Sequence, residues 1–161
     1  MYRWTAAAVV VTAAGLVGTA TLAAPATASA AGIVVRVTPD RGLVDEESVT
    51  ISGHGLQTSG GGTPRTWFVA ECTAAVRGRM NPATDAPHCD LTDAQPLHVA
   101  HNGTFSARYR VTTGIIGDGY CGTPGHATCV LGVGTAQGLG TVVQITFKTP
   151  PAPATAGTAT G

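Results

Sequence analysis

The segment TFSARYRV, residues 104–111, decides the fold class of this chain. Its odd-numbered positions are Phe, Ala, Tyr and Val, and its even-numbered positions are Thr, Ser and two Arg. Alternation with a period of two is typical of a β-strand that has one buried and one exposed face. Residues 48–52 and 143–147 alternate in the same way. The sequence therefore predicts a fold built from such strands.

Eight segments fit the strand pattern, and turn residues separate them at the intervals expected of a β-sandwich. No window carries a sustained apolar i, i+3, i+4, i+7 stripe, so almost no helix is expected. Asn102-Gly103 lies between two alternating runs and predicts a tight hairpin. The predicted fold class is all-β, with strands at residues 33–38, 47–53, 66–72, 74–79, 96–101, 104–112, 128–134 and 141–148.

The N-terminal 30 residues have the composition of a secretory signal peptide. Arg3 precedes an apolar stretch of Ala, Val and Leu, and the segment ends in Ala28-Ser29-Ala30, which predicts cleavage after Ala30 and an extracellular protein. A membrane anchor is the alternative, but Thr, Gly and Pro interrupt the run before the roughly 20 apolar residues that a span needs. We expect one domain over residues 31–148 and a disordered Pro, Ala, Thr and Gly tail over residues 149–161.

The charge balance argues against a polyanionic partner. The chain has nine basic and nine acidic residues, and removal of Arg3 with the signal peptide leaves a formal charge of −1. Such a balance gives no electrostatic case for nucleic acid or for an acidic membrane. We predict no direct nucleic-acid binding, no membrane binding and a monomer.

The four cysteines fall in two local pairs, Cys72 with Cys89 and Cys121 with Cys129. Four cysteines allow three connectivities, and local pairing is favoured because the Gly and Pro between the partners let the chain turn back. The alternative is a zinc site of Cys121, His126 and Cys129. Seven residues separate those cysteines, whereas a zinc knuckle has two to four. An exported thiol also tends to oxidise first, so we predict two disulfides and no metal.

Catalytic motifs are missing from the sequence. It has no Gly-x-Ser-x-Gly elbow and no His-Glu-x-x-His segment, and no cysteine is expected to stay free as a nucleophile. Ser52, His54 and Asp40 supply the residue types of a hydrolase triad, as they would in any secreted domain with several residues of each type. We predict that the protein is not an enzyme and has no catalytic residues and no cofactor.

The order of the segments resembles a known family. VTPDRGL, VTISGHGLQ, WFVAEC, HNGTFSARYRV and CVLGVGTAQGLGTVVQITF together resemble the neocarzinostatin family of actinomycete enediyne-binding apoproteins. The resemblance runs from about residue 35 to residue 147 and places all four cysteines in the family's positions. It covers nearly the whole predicted domain.

This resemblance implies a seven-stranded, immunoglobulin-like antiparallel sandwich that carries a small disulfide-closed β-ribbon lobe. It also implies a carrier that protects a labile chromophore in a cleft, with any antimicrobial or DNA-directed activity residing in that ligand. The partner expected on this basis is a hydrophobic small molecule. A second hypothesis is a ligand-free extracellular or cell-envelope adhesion domain on the same scaffold.

The resemblance also implies where a ligand would bind. Ala74 and Ala94 stand where the family has aromatic residues, so Phe68, Tyr120 and Trp67 are the candidates to replace them. Strand alternation puts Phe68 and Trp67 on opposite faces, and we predict that Phe68 faces the cleft. The predicted ligand-binding residues are Phe68, Ala70, Cys72, Cys89, Ala94, Val130, Gly132 and Gly134.

Overall fold

The structure is a computed structural model that describes residues 26–30, as backbone only, and residues 32–148. Two sheets pack face to face, and a short helix α1, Pro82–Asp85, is followed by a 3₁₀ turn at Ala86–His88. The strands are β1 Ala26–Ala30, β2 Ile33–Thr38, β3 Arg41–Leu43, β4 Ser48–His54, β5 Ser59–Gly60, β6 Thr63–Pro64, β7 Trp67–Thr73, β8 Gln95–Leu97, β9 Phe105–Arg110, β10 Gly114–Ile116, β11 Gly119–Cys121, β12 Thr128–Gly134 and β13 Gly140–Phe147.

The larger sheet has the strand order β3-β13-β12-β7-β8, and the smaller one has the order β1-β2-β4-β9. β2 and β3 are consecutive in the chain but belong to different sheets, so the chain crosses between the sheets at this point. Counting β2 with β3 as one crossing strand, seven strands after residue 32 build the two sheets. The all-β sandwich prediction is confirmed, with one correction: β3 and β13 pair in parallel.

The inward faces of the two sheets form one apolar core. Alternate residues of each long strand point into it, as the sequence pattern predicts. The fully buried members include Val35, Val37, Val49, Ile51, Trp67, Val69, Leu131, Val133, Val143 and Ile145. Each such side chain contributes about 1.5–3 kcal/mol when it leaves water, so this core holds the sandwich together.

Two local predictions need correction. Residues 74–79 form a loop, not a strand, and α1 follows that loop. The helix begins there because the Asn81 side chain accepts a hydrogen bond from the Ala83 N–H and Pro82 occupies the first turn, where a missing N–H costs nothing.

The tight turn predicted at Asn102-Gly103 is present, since the Ala100 N–H donates to the Thr104 carbonyl at 2.9 Å and Val99 pairs antiparallel with Phe105. The strand predicted at residues 96–101 is shorter, because β8 ends at Leu97 and belongs to the larger sheet, whereas β9 belongs to the smaller one.

Both ends of the chain carry predictions that fall largely outside the described residues. The predicted tail, residues 149–161, lies outside them, and so do residues 1–25 of the predicted signal peptide. Strand β1 lies within that peptide and pairs antiparallel with β2. Cleavage after Ala30 would therefore remove β1 and leave β2 at the edge of the smaller sheet.

Candidate ligand-binding site

The outer face of the larger sheet carries small side chains at its centre. On β12, Gly132 and Gly134 point outward, while Leu131 and Val133 point into the core. Gly132 pairs with Ala70 of β7, and Gly134 pairs with Phe68 of the same strand. The centre of the outer face therefore has few side-chain atoms above the strand backbone.

The chain between β7 and β8, residues 74–94, crosses this outer face. The Cys72–Cys89 bridge ties it to β7. Val76 and Met80 pack on Val130 and on the bridge, and together they form a second, smaller hydrophobic cluster. This covering segment, residues 74–94, leaves an open cleft on each side of that cluster.

The first of these is an apolar cleft of about 340 Å³. Apart from Thr135 its walls are apolar, and none of the described residues that line it is charged. Phe68 and Leu91 contribute the most exposed apolar surface, at 37% and 54% exposure. The residues that line the apolar cleft are Phe68, Ala70, Met80, Pro82, Ala86, Leu91, Ala94, Gly132, Gly134, Thr135 and Ala136.

The second is a larger polar cleft of about 620 Å³ at the other side of the covering segment. Arg41 from β3 and Arg77 from the covering segment both line it, together with the nearly buried Asp40. The Arg41 Nε lies 3.7 Å from an Asp40 carboxylate oxygen. Outward-facing strand residues such as Gln144 and Thr146 make up its floor.

The predicted ligand-binding residues divide between these places. Phe68, Ala70, Ala94, Gly132 and Gly134 are brought together in the apolar cleft. The other three, Cys72, Cys89 and Val130, are buried beneath the covering segment in the second cluster, although Val130 also lines the polar cleft.

Of the three aromatic candidates, one lines the apolar cleft. Phe68 lies on its wall. Trp67 is 1% exposed in the core, where its Nε1 donates a hydrogen bond to the Gln57 carbonyl. Tyr120 lies on β11, half exposed, with its ring centroid 5.7 Å from that of His126, and it does not line the apolar cleft.

Sequence reasoning did not find Met80, Pro82, Ala86, Leu91, Thr135 and Ala136 as cleft residues. Most of them belong to the covering segment, which has no periodic pattern that places its side chains. Asn81-Pro82 is a recognisable helix start, and this signal would have suggested a turn of helix over the cleft.

A short ribbon, β10 with β11, supports the covering segment from its far side. The Asp118 carboxylate lies 2.7 Å from the His88 Nδ1, and the Asp118 N–H donates to the Pro87 carbonyl at 2.8 Å. Gly117 packs so closely that a β-carbon there would lie 2.3 Å from the Pro87 oxygen. The Cys121–Cys129 bridge ties the ribbon to β12. The ribbon that supports the covering segment is therefore itself anchored to the larger sheet.

Glu71 is a buried carboxyl on the inward face of β7, 1% exposed. Its Oε2 accepts hydrogen bonds from the backbone N–H and the hydroxyl of Thr112, while Oε1 has no partner among the described residues. Burial raises the pKa of Glu71 from 4.5 to about 7, although the Thr112 hydrogen bonds work in the opposite direction. Burial also raises the pKa of the neighbouring Tyr109.

Within the described residues, the metal and triad alternatives find little geometric support. Donor atoms of Glu71, Cys121 and Cys129 lie within 4.8 Å of one another, but the two sulfurs are joined in a disulfide and are not free to bind a metal. His126 is exposed at its loop. No hydrogen bond joins the side chains of Ser52, His54 and Asp40 to one another in the described part of the chain.

No helix in the described ranges is long and apolar enough to cross a membrane.

Comparison with known proteins gives matches only among solved structures. No family model and no curated protein matches the chain. Macromomycin is 26% identical with a TM-score of 0.47, and the match covers 70% of this chain and 96% of macromomycin. A solution structure of apokedarcidin is 23% identical with a TM-score of 0.43, over 73% of this chain and 99% of apokedarcidin.

Both are proteins of the neocarzinostatin family, to which the sequence resemblance also points. At TM-scores below 0.5 the likeness is a distant one. The case for a function therefore has to come from the cleft itself.

Proposed function

We propose that this chain is a secreted, non-enzymatic carrier that binds and protects a hydrophobic small molecule in the apolar cleft. The observation that carries the proposal is a cleft of about 340 Å³ with apolar walls and no charged lining residue. Ligand pockets typically enclose about 300–1,000 Å³ and are lined mainly by apolar side chains with a few polar groups. The sequence resemblance supports an enediyne-type chromophore or a related molecule as the ligand.

The residues that line the cleft are better suited to holding a ligand than to catalysis. Its eleven residues include no His, Cys, Asp, Glu or Lys, so the cleft offers no general acid, general base or activated nucleophile. Any reactivity of the loaded protein would reside in the ligand. A reactive ligand held between apolar walls would be kept away from water and from nucleophiles.

The contacts that hold the covering segment in place favour binding, because less of that segment has to become ordered when a ligand binds. The Cys72–Cys89 bridge and the His88–Asp118 contact hold the covering segment before any ligand arrives. Preorganisation of this kind raises affinity by lowering the entropic cost of association.

Export of the protein is part of the proposal. Both disulfides suit an oxidising compartment, and the first 30 residues have the composition of a signal peptide. The near-zero charge of the chain supports a carrier that does not itself bind nucleic acid.

The test begins with purification of the secreted protein from its native producer. Its absorption is recorded above about 300 nm, where protein side chains absorb little. An organic extract of the protein is then analysed by mass spectrometry. We expect a small molecule that co-purifies in a fixed ratio. Leu91→Ser should weaken its retention, because Leu91 lines the cleft with 54% of its surface exposed.

Val44→Ser is the matched control, since Val44 is 52% exposed and lies outside the cleft. Retention should not change in that variant. A colourless protein without any extractable molecule would refute the carrier function and support the adhesion-domain hypothesis instead.

A further inference from the structure

The Met80 side chain lies on two strand glycines, Gly132 and Gly134, at the floor of the apolar cleft. A β-carbon built at Gly132 would lie 2.8 Å from the Met80 Sδ and 2.9 Å from its Cε. The same atom at Gly134 would lie 3.0 Å from Sδ. An alanine at Gly132 or Gly134 would therefore force the flexible end of Met80 to move. Gly140 is different, because a β-carbon there would lie 2.6 Å from the Val133 carbonyl oxygen, nearer than Met80.

Backbone conformation does not explain these glycines. Neither Gly132 nor Gly134 has a positive φ, so each could carry a side chain as far as its own backbone conformation is concerned. Glycine inside a strand is destabilising relative to alanine and typically marks a place where another group approaches closely. Here the group that approaches is the thioether of Met80.

The far end of the Met80 side chain, its tip, can move, whereas the part next to the backbone, its base, cannot. The backbone fixes the Met80 Cβ, whereas Gly132 and Gly134 lie against the Sδ at the far end of the side chain, and Gly132 also lies against the Cε. Met80 is half-buried and lines an open cleft. Methionine has three flexible side-chain torsions and a low cost of rearrangement, so the tip can leave the two glycines while the base stays in place.

Thr135 follows the glycine floor directly and gives independent support for a ligand. It lines the same cleft and is 4% exposed. Its hydroxyl oxygen is buried and has no hydrogen-bond partner among the described residues, a situation that is destabilising. Staggered rotation about χ1 exchanges the positions of the methyl and hydroxyl groups, so the hydroxyl can turn toward a ligand in the cleft.

We infer that Met80 is a displaceable plug over a subsite whose floor is Gly132 and Gly134 and whose polar end is Thr135. The ligand class for this subsite is a planar, unsaturated ring system that carries a hydrogen-bonding atom at its edge. This inference rests on the proposed function, because it specifies how part of the ligand sits in the apolar cleft.

The shape of the floor selects for planarity. Because Gly132 and Gly134 have no β-carbons, the face of a ring can lie on the strand as closely as the Met80 thioether does now. A bulky aliphatic group would contact the strand at few points. The Thr135 hydroxyl both donates and accepts hydrogen bonds. A flat ring with an edge N–H or an edge oxygen therefore satisfies a group that the unliganded protein leaves unpaired.

Met80 offers a direct spectroscopic test. The chain has two methionines, and the other is Met1, so protein labelled with ¹³C at the methionine methyl group reports on Met80 almost alone. The probes are indole, benzofuran and indene, three flat bicyclic molecules with N–H, O or CH₂ at the same ring position. We expect the Met80 methyl resonance to shift on titration, and indole and benzofuran to bind about threefold or more tighter than indene.

Variants separate the two parts of the subsite. Met80→Ala should strengthen indole binding about threefold to tenfold, because the closed state no longer competes with the ligand. Adding Gly132→Ala to Met80→Ala should cancel that gain by placing a methyl group on the floor. Thr135→Val keeps the side-chain shape and should bring indole and benzofuran down to the affinity of indene.

Amide shifts of Phe68 and Leu91 make the possible failures distinguishable. If those amides shift on titration while the Met80 methyl does not, and Met80→Ala leaves the affinity unchanged, the cleft binds ligands and the plug is refuted. If the three probes bind equally well and Thr135→Val changes nothing, the role of Thr135 is refuted. If no resonance shifts with any probe, both the subsite and binding in the apolar cleft are overturned.

Discussion

The two faces of the larger sheet use the same strands for opposite purposes. Facing inward, Val69, Leu131 and Ile145 have no exposed surface. Facing outward at neighbouring positions are Ala70 and Gly132, beneath an open cleft. Strand geometry is identical on both faces, so the difference lies in side-chain size: large residues close the inner face against the other sheet, and small ones keep space on the outer face.

The outer face adds a second comparison, between the apolar cleft and the polar cleft. The polar cleft is larger, at about 620 Å³ against about 340 Å³, yet Arg41 and Arg77 at its walls are well solvated. Removing water from apolar walls is favourable, whereas removing it from charges is costly. Wall chemistry therefore makes the smaller cleft the better site for a hydrophobic ligand.

The largest expected effect comes from the inner face. Leu131→Ala should lower the free energy of unfolding by about 3–4 kcal/mol, because it removes a fully buried side chain and leaves a cavity. Val142→Ala, on the outward face of β13 and half-buried, should cost about 1 kcal/mol. Urea unfolding of both variants measures the difference, and equal losses would contradict the distinction between the two faces.

The next effect concerns the bridge that holds the covering segment. Replacing Cys72 and Cys89 with alanine opens a ring with a sequence separation of 17, which should cost about 3 kcal/mol of unfolding free energy. Ligand binding in the apolar cleft should weaken as well, because the covering segment loses its tie to β7. Thermal unfolding and a ligand titration measure the two losses.

The other bridge serves as the control. Opening Cys121–Cys129, with a separation of 8, should cost about 2.5 kcal/mol but affect ligand binding less, since that bridge does not cross the outer face. A larger binding loss from this second pair would show that the ribbon, not the Cys72–Cys89 bridge, holds the cleft.

Glu71 is the acidic exception on the inner face, and its effect depends on pH. Its pKa is 4.5 in an ordinary environment and about 7 in the fold. The folded state therefore keeps a proton that the unfolded state releases between these pH values. The stabilisation is fully present below about pH 4.5 and is lost as pH rises through 7, by about 3 kcal/mol in total.

Glu71→Gln removes this pH dependence of the unfolding free energy, because glutamine keeps an oxygen for Thr112 and does not titrate. The loss of unfolding free energy between pH 4.5 and pH 8 should be about 3 kcal/mol smaller in the variant than in the parent chain. Parallel pH profiles for the two proteins would show that Glu71 titrates normally.

Most of the sandwich follows from the sequence because alternation is a local property. Residues 104–111 predict β9, and the same rule separates Phe68 on the outer face from Trp67 in the core. Alternation on β12 also places Gly132 and Gly134 together on one face of that strand. These features depend on one strand at a time, and the pattern of a single strand is visible in the sequence.

The cover of the cleft could not be predicted in this way. Residues 74–94 have no repeating pattern, and the position of Met80 depends on a bridge, a helix cap and a contact with a distant ribbon. Those constraints come from parts of the chain that meet only after folding. Gly132 and Gly134 are visible in the sequence, but Met80, the side chain that packs on them, is more than 50 residues away.

The smallest expected effect on stability is at the wall of the apolar cleft. Phe68→Ala should change the unfolding free energy by less than about 1 kcal/mol, because 37% of the side chain is already exposed. It should weaken the binding of an aromatic ligand about tenfold, through lost apolar contact and lost ring stacking. Tyr120→Ala is the matched control, since Tyr120 is 51% exposed and lies outside the cleft. A loss of affinity in both variants, or in neither, would contradict the assignment of ligand binding to the apolar cleft, because only the first of these aromatic rings lies on its wall.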